Sequence, residues 1–91
     1  MQKEISYNKQ EIEEKVYKII QGSYFTRLPK ENWQQMSFSF DLALNSLEMV
    51  EIIMQSEKVF QIEFNDNETM EMNSGEKLIN KIIEKLNNKK K

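Results

Sequence analysis

Apolar residues recur at the spacing of an amphipathic α-helix in three separate stretches of the chain. Each stretch is flanked by charged residues that would cover a solvent-facing side, so each is predicted to be a helix with one buried face. In the middle stretch the inward face is predicted to carry both branched residues and methionine. The three sets are Ile12, Val16, Ile19 and Ile20, then Leu47, Val50, Ile53, Met54 and Phe60, and finally Leu78, Ile79, Ile82, Ile83 and Leu86.

Asparagine followed three residues later by glutamate marks the start of each of these stretches. This spacing is that of a capping box, in which the two side chains each accept a hydrogen bond from the other residue's backbone N–H. The middle helix is therefore predicted to run from about 46 to 59 or 60. A further asparagine predicts a short helix from about 66 to 72, with Met70 or Met72 reaching the core. The capping residues are Asn8 with Glu11, Asn45 with Glu48, Asn65 ahead of the short helix, and Asn73 with Glu76.

Between the first two helices lies a long segment, residues 23–44, that is rich in aromatic residues. A short helical turn is predicted around 29–33. From Met36 to Leu44 apolar residues alternate, as they do again from Phe60 to Phe64, and alternation of this kind is typical of strands. A two-stranded α+β fold is therefore an alternative, although an isolated two-stranded ribbon is only marginally stable. The favoured fold is all-α, a small four-helix bundle with a long first loop and a short third helix.

Length and composition restrict the chemistry that this chain can perform. Its 91 residues suffice for one small domain, and it contains neither Cys nor His. Disulfides, thiolate zinc sites, cysteine nucleophiles and histidine general bases are thereby excluded. Any thiol chemistry would need a prosthetic group. The first residues lack the apolar core of a signal peptide, and no apolar run is long enough to span a membrane, so a cytoplasmic location is expected.

Charge is distributed unevenly along the chain, although the net charge is only −2. Residues 1–40 carry a net charge of +1, residues 41–76 carry −8, and residues 77–91 carry +5. The acidic block is expected to repel nucleic acid and to attract basic protein surfaces. Residues 87–91 are expected to form a basic, frayed tail on a single domain that spans 1–91.

Ser46 is the candidate functional residue, because the capping pattern places it in the first turn of the middle helix. A phosphate attached there would lie near unpaired backbone N–H groups and the positive end of the helix dipole. Its hydroxyl has no histidine to activate it as a nucleophile. A separate enzyme would therefore have to modify it.

The stretch Asp41-Leu42-Ala43-Leu44-Asn45-Ser46-Leu47 resembles the segment around the modified serine of acyl carrier proteins, whose usual form is Asp-Leu-Gly-x-Asp-Ser-Leu. The resemblance runs without a gap from about Ser37 to Ile83 and returns over Ile12–Ile20. It implies a non-enzymatic carrier, acting as a monomer, with 4′-phosphopantetheine attached to Ser46 by a transferase that uses coenzyme A. Acyl groups would be carried as thioesters for fatty acid, polyketide or related biosynthesis. Ala43 replaces the usual Gly, and Asn45 replaces the usual Asp.

The resemblance also implies two further sets of residues. One set would dock against lysine and arginine on partner enzymes: Asn45, Leu47, Glu48, Glu51, Met54 and Glu57. The other would surround the cavity that shelters an acyl chain: Phe38, Val50, Phe64, Thr69, Met72 and Leu78. Three of these, Phe64, Thr69 and Leu78, are larger than the usual residues, so the carrier is expected to shelter only a short or small group or to leave it exposed. Ser56 stands where the family usually has a large apolar residue.

Two other functions remain open at the level of the sequence. The chain could carry an amino acid or another specialised building block. Alternatively, it could be an unmodified helical adaptor that binds partners through its acidic second helix.

Overall fold

A computed structural model describes residues 7–23 and 28–89. Four α-helices follow one another: α1 (Lys9–Ser23), α2 (Ser46–Phe60), α3 (Asp66–Glu71) and α4 (Gly75–Lys89). A 3₁₀ turn at Trp33–Gln35 interrupts the long first loop. Within these described ranges there is no β-strand, only an isolated bridge between Ser37 and Ser74, so the all-α prediction is confirmed and the α+β alternative is wrong. Residues 24–27 of the first loop and 90–91 of the basic tail lie outside the described part.

Three of the four helices begin as the capping patterns predict. At α1 the Glu11 N–H donates to Asn8 Oδ1 over 2.8 Å, and the Asn8 N–H donates to Glu11 Oε1 over 3.1 Å. The same reciprocal pair opens α2, through Asn45 and Glu48, and α3, through Asn65 and Glu68. Each pair satisfies two backbone donors that the helix itself leaves unpaired.

The start of α4 differs from the prediction of a box between Asn73 and Glu76. The helix begins at Gly75, and the residue before it is Ser74, whose Oγ accepts a hydrogen bond from the Lys77 N–H over 3.3 Å. The backbone carbonyl of Asn73 instead accepts a 2.7 Å hydrogen bond from the Phe38 N–H. This contact ties the first loop to the junction between α3 and α4, and the cap therefore falls one residue later.

The core lies where α1, α2 and α4 meet. Helix α1 packs against both of the other long helices, and α4 also contacts the 3₁₀ turn. Met72, just after α3, is buried, whereas Met70 is exposed, so it is the former that reaches the core. The buried apolar residues of the long helices are Ile12, Val16, Ile20, Ile52, Ile53, Phe60, Leu78, Ile79 and Ile82.

Helix α2 buries only part of the predicted face. Leu47, Val50 and Met54 were expected to face inward, but their exposed fractions are 69%, 45% and 54%. Ile53 and Phe60 are buried as predicted, and Ile52 and Ser56 are buried beside them. At about 100° per residue, Ile52 and Ser56 lie on the side of the helix opposite Leu47 and Met54. Ser56 can be buried because its hydroxyl donates to the Ile52 carbonyl over 3.0 Å.

Trp33 is one of the buried residues that anchor the first loop to the core. Trp33 is 6% exposed, and its ring lies 5.4 Å, centroid to centroid, from that of Tyr17 on α1. A Cβ at Gly75 would approach Trp33 Cζ3 to 2.6 Å, so glycine permits the indole to lie directly on the first residue of α4. The turn begins at Trp33, whereas the predicted turn, at 29–33, ended there.

Candidate modification site

Ser46 is the first residue of α2, and its side chain is exposed. It does not serve as the helix cap, because Asn45 fills that role. The Glu48 N–H donates to Asn45 Oδ1 over 2.8 Å, and the Asn45 N–H donates to Glu48 Oε1 over 3.0 Å. The capping requirement therefore does not account for the serine.

The backbone leading to Ser46 is folded into a compact turn rather than a strand. The Ser37 N–H donates to Asp41 Oδ2 over 2.8 Å, and Ser37 Oγ accepts from the Phe40 N–H over 2.8 Å. The Leu44 N–H then donates to the Phe38 carbonyl over 2.8 Å, which closes the segment into a loop. Leu44 is buried, as are Phe38 and Leu42. These contacts hold the approach to α2, and so the position of Ser46, against the core.

Ala43 adopts a left-handed backbone conformation, with φ of 57°. Glycine reaches this region without strain, whereas an L-residue with a Cβ does not. The usual glycine of the motif thus stands at a position where the backbone favours glycine. The chain here accommodates alanine in the same conformation.

The predicted docking residues do not all have the same surroundings. Leu47, Glu51 and Met54 lie on one exposed side of α2, and Asn45 is exposed beside them. Glu48 is half-buried as a residue, and its carboxylate belongs to the capping box. Glu57 is also half-buried, and its Oε2 accepts a 2.8 Å hydrogen bond from the Phe64 N–H, which fixes the loop after α2.

The residues predicted around an acyl cavity are divided between the interior and the surface. Phe38, Met72 and Leu78 belong to one buried cluster. Phe64 packs against that cluster while half-buried, and the half-buried Thr69 uses its hydroxyl to donate to the Asp66 carbonyl over 2.7 Å. Val50 lies on the exposed side of α2, away from the buried face, so the structure does not bring it together with the interior members.

Sequence reasoning missed an ionic contact between α3 and α4. Lys85 Nζ lies 2.9 Å from Glu68 Oε1, and Lys81 Nζ lies 4.0 Å from Glu68 Oε2 and 3.8 Å from Glu71 Oε1. The hydrogen bond from the Asn65 backbone and the proximity of Lys85 hold the pKa of Glu68 below its ordinary value. The signal available in the sequence was the four-residue spacing of the two lysines, which places them on one side of α4.

Comparison with known proteins identifies the class. Three long helices around one core, a short α3 and an exposed serine at the start of α2 make up a small helical domain. No protein-family model matches the chain. It is 35% identical over 80 residues to the acyl carrier protein of Buchnera aphidicola subsp. Schizaphis graminum, and the match covers 88% of this chain and 95% of that protein. The chain belongs to the acyl carrier protein family, and it is a carrier rather than an enzyme.

Among the residues that the structure describes, no helix has both the length and the apolar character needed to cross a bilayer.

Proposed function

We propose that this protein carries acyl intermediates as thioesters on a 4′-phosphopantetheine arm attached to Ser46, for fatty acid, polyketide or related biosynthesis. The observation that supports this proposal is the exposed Ser46 at the first position of α2, beside an asparagine that already caps the helix. Such a hydroxyl is accessible to an external enzyme and has no structural task that modification would disturb.

The surroundings of Ser46 suit a phosphodiester. The first backbone N–H groups of a helix and the positive end of its dipole favour a negative charge at this position. The chain supplies no general base to the hydroxyl, since it has no histidine, so a phosphopantetheinyl transferase would have to activate it. When attached, the arm supplies the terminal thiol that this cysteine-free chain lacks.

Docking to partner enzymes would use the exposed side of α2. Leu47 and Met54 supply apolar contact area there, and Glu51 supplies a carboxylate. The wider segment, residues 41–76, has nine acidic residues and one lysine, which favours partners with basic surfaces and accelerates encounter with them. Asn45, Glu48 and Glu57 would act mainly through the shape of the helix start and the loop after α2, because their side chains make the hydrogen bonds described above.

The cargo would be short or small, or would stay outside the bundle. Phe38, Met72 and Leu78 are almost completely buried against their neighbours. A long acyl chain entering among them would have to displace well-packed side chains, which is costly in a close-packed core.

The test is a mass measurement. The apo protein is incubated with coenzyme A and a phosphopantetheinyl transferase of broad specificity, and the expected result is a mass gain equal to one phosphopantetheine. Ser46→Ala should abolish the gain. Ser39→Ala, which changes another exposed serine, should retain it. A folded protein that several such transferases leave unmodified would overturn the proposal and favour the adaptor.

A further inference from the structure

Phe40 is the most unusual side chain near the modification site, because 86% of it is exposed. Its neighbours at alternate positions, Phe38 and Leu42, are both buried. The turn that begins at Ser37 causes this difference. The Phe40 N–H donates to Ser37 Oγ over 2.8 Å, and the Asp41 N–H donates to the Ser37 carbonyl over 3.0 Å. The ring therefore projects into solvent from a backbone that is held in place on both sides.

Phe40 lies six residues before Ser46, close enough for one partner protein to contact both. The hydrogen bond from the Leu44 N–H to the Phe38 carbonyl folds the segment between Phe40 and Ser46 into a loop. Standard residue spacing limits their Cα–Cα separation to about 20 Å. A protein–protein contact of ordinary size covers a patch roughly 32 Å across on each partner. One contact patch of this size can contain both Ser46 and the phenyl ring.

The charge around the ring indicates which partner would cover it. Asp41 follows Phe40 directly, and the acidic segment 41–76 begins there. A second copy of this chain would bring the same negative charge to the contact and be repelled. A basic enzyme surface would be attracted. An aromatic side chain on a fixed backbone, next to the carboxylate of Asp41, has the character of a binding hot spot, since little freedom is lost when it enters a pocket.

We infer that Phe40 anchors the phosphopantetheinyl transferase to this carrier, by inserting its ring into an apolar pocket bordered by lysine or arginine on that enzyme. The inference rests on the proposed function, because it assumes that Ser46 is the residue brought to the transferase. It adds a specificity-determining residue that lies in the first loop, outside α2.

The experiment uses the transferase that modifies the wild-type chain fastest and compares steady-state kinetics for Phe40→Ser. We expect KM for the carrier to rise about tenfold, as for loss of one buried aromatic contact, with kcat unchanged. Phe40→Leu should recover much of the affinity. Met70→Ser removes an equally exposed apolar side chain from α3 and should leave KM within twofold of the wild-type value. Thermal unfolding of all three variants should match the wild type, because the side chains of Phe40 and Met70 are both largely exposed.

The salt dependence of KM distinguishes the contribution of the phenyl ring to binding from that of the charged residues. Added salt should raise KM of the wild type and of Phe40→Ser by the same factor, because the ring carries no charge. An unchanged KM for Phe40→Ser, or an equal rise for Met70→Ser, would overturn the inference and leave the carrier function standing. A wild-type dimer in sedimentation that Phe40→Ser makes monomeric would assign the ring to a second copy instead. Failure of the wild type itself to be modified would count against the proposed function.

Discussion

Ala43 occupies a backbone conformation that its own methyl group disfavours. With φ of 57°, the Cβ crowds the following carbonyl, at a cost of about 1–2 kcal/mol for an L-residue in this region. The strained residue lies three positions before Ser46, in the segment that sets where α2 begins. Relieving the strain should therefore change stability and leave the geometry of the site intact.

Ala43→Gly is predicted to raise the free energy of unfolding by about 1 kcal/mol, because the relief of strain exceeds the added entropy of the unfolded chain. Urea denaturation followed by circular dichroism measures the change. Ala43→Val, whose branched side chain fits the left-handed region less well, should lower it. A glycine variant no more stable than the wild type would show that the turn relaxes around alanine at no cost.

Asn45 caps α2 without carrying charge, whereas the usual residue of the family motif at this position is aspartate. Asn45→Asp keeps an acceptor for the Glu48 N–H, so the helix start should persist. The added carboxylate would meet a basic group or metal ion on the transferase. We therefore predict a faster rate of pantetheinylation than for the wild type, measured with the same transferase and coenzyme A. Equal rates with several transferases would contradict this role for the charge.

At the level of the elements, α3 is the least embedded helix. None of its six residues is buried, so its position depends on its ends and on charge. One carboxylate, that of Glu68, both caps α3 and forms an ion pair with α4. Glu68 accepts a 2.9 Å hydrogen bond from the Asn65 N–H and pairs with Lys85 Nζ at 2.9 Å. Capping α3 and holding it on α4 are therefore coupled through a single side chain.

Glu68→Gln is predicted to destabilise the protein at pH 7 and to have no effect at low pH. The folded-state pKa of Glu68 is lowered, so its carboxylate adds stability above the ordinary unfolded-state pKa of 4.5. That contribution is lost as the pH falls through the folded-state value. Urea unfolding at pH 7 and at successively lower pH should show the wild type and the variant converging. Glu71→Gln, whose carboxylate is mostly exposed and contacts only Lys81 among the ion pairs described, should have a smaller effect. A constant gap between Glu68→Gln and the wild type across pH would contradict this assignment.

The sequence predicted the starts of α1, α2 and α3 and the buried faces of α1 and α4, but only part of the buried face of α2. A capping box is closed by two residues three positions apart, and no distant contact is needed to form it. The buried face of α2 is decided by α1 and α4, and apolar residues are present on both sides of the helix. Ser56 on the buried side and Leu47 on the exposed side each reverse the expected polarity.

Tertiary contacts also explain the shift at α4. Asn73 and Ser74 are both good capping residues, so local preference does not choose between them. The hydrogen bond from the Phe38 N–H engages the carbonyl of Asn73 and leaves Ser74 as the cap. For Ser46, the local capping pattern sufficed to predict its place in the first turn of α2. The exposure of Phe40 was not predictable, because alternation alone would have placed it beside Phe38 and Leu42.

For the molecule as a whole, one core is shared by three long helices, and three of the residues predicted to shelter a cargo, Phe38, Met72 and Leu78, belong to that same core. Sheltering and stability would therefore compete for Phe38, Met72 and Leu78. A carrier built in this way gains little by taking a long chain inside.

Attaching acyl groups of increasing length to the arm is predicted to leave the core unchanged. The methyl resonances of Leu78 and Met72 should keep the same chemical shifts with acetyl and with a long acyl chain, and the melting temperature should be the same for both. A ligand that bound inside would stabilise the folded state and shift both measurements. Protection of a long chain from solvent, detected by NMR contacts to these methyl groups, would contradict the prediction. The pantetheinylated protein without an acyl group is the control.

The seating of Trp33 against Tyr17 and on Gly75 has a practical consequence. This is the chain's single tryptophan, so its fluorescence emission comes from one defined place, the junction of the first loop with α1 and α4. The emission wavelength therefore reports, without any attached dye, on the surroundings of the indole at that junction while Ser46, on another helix, is being modified or unloaded.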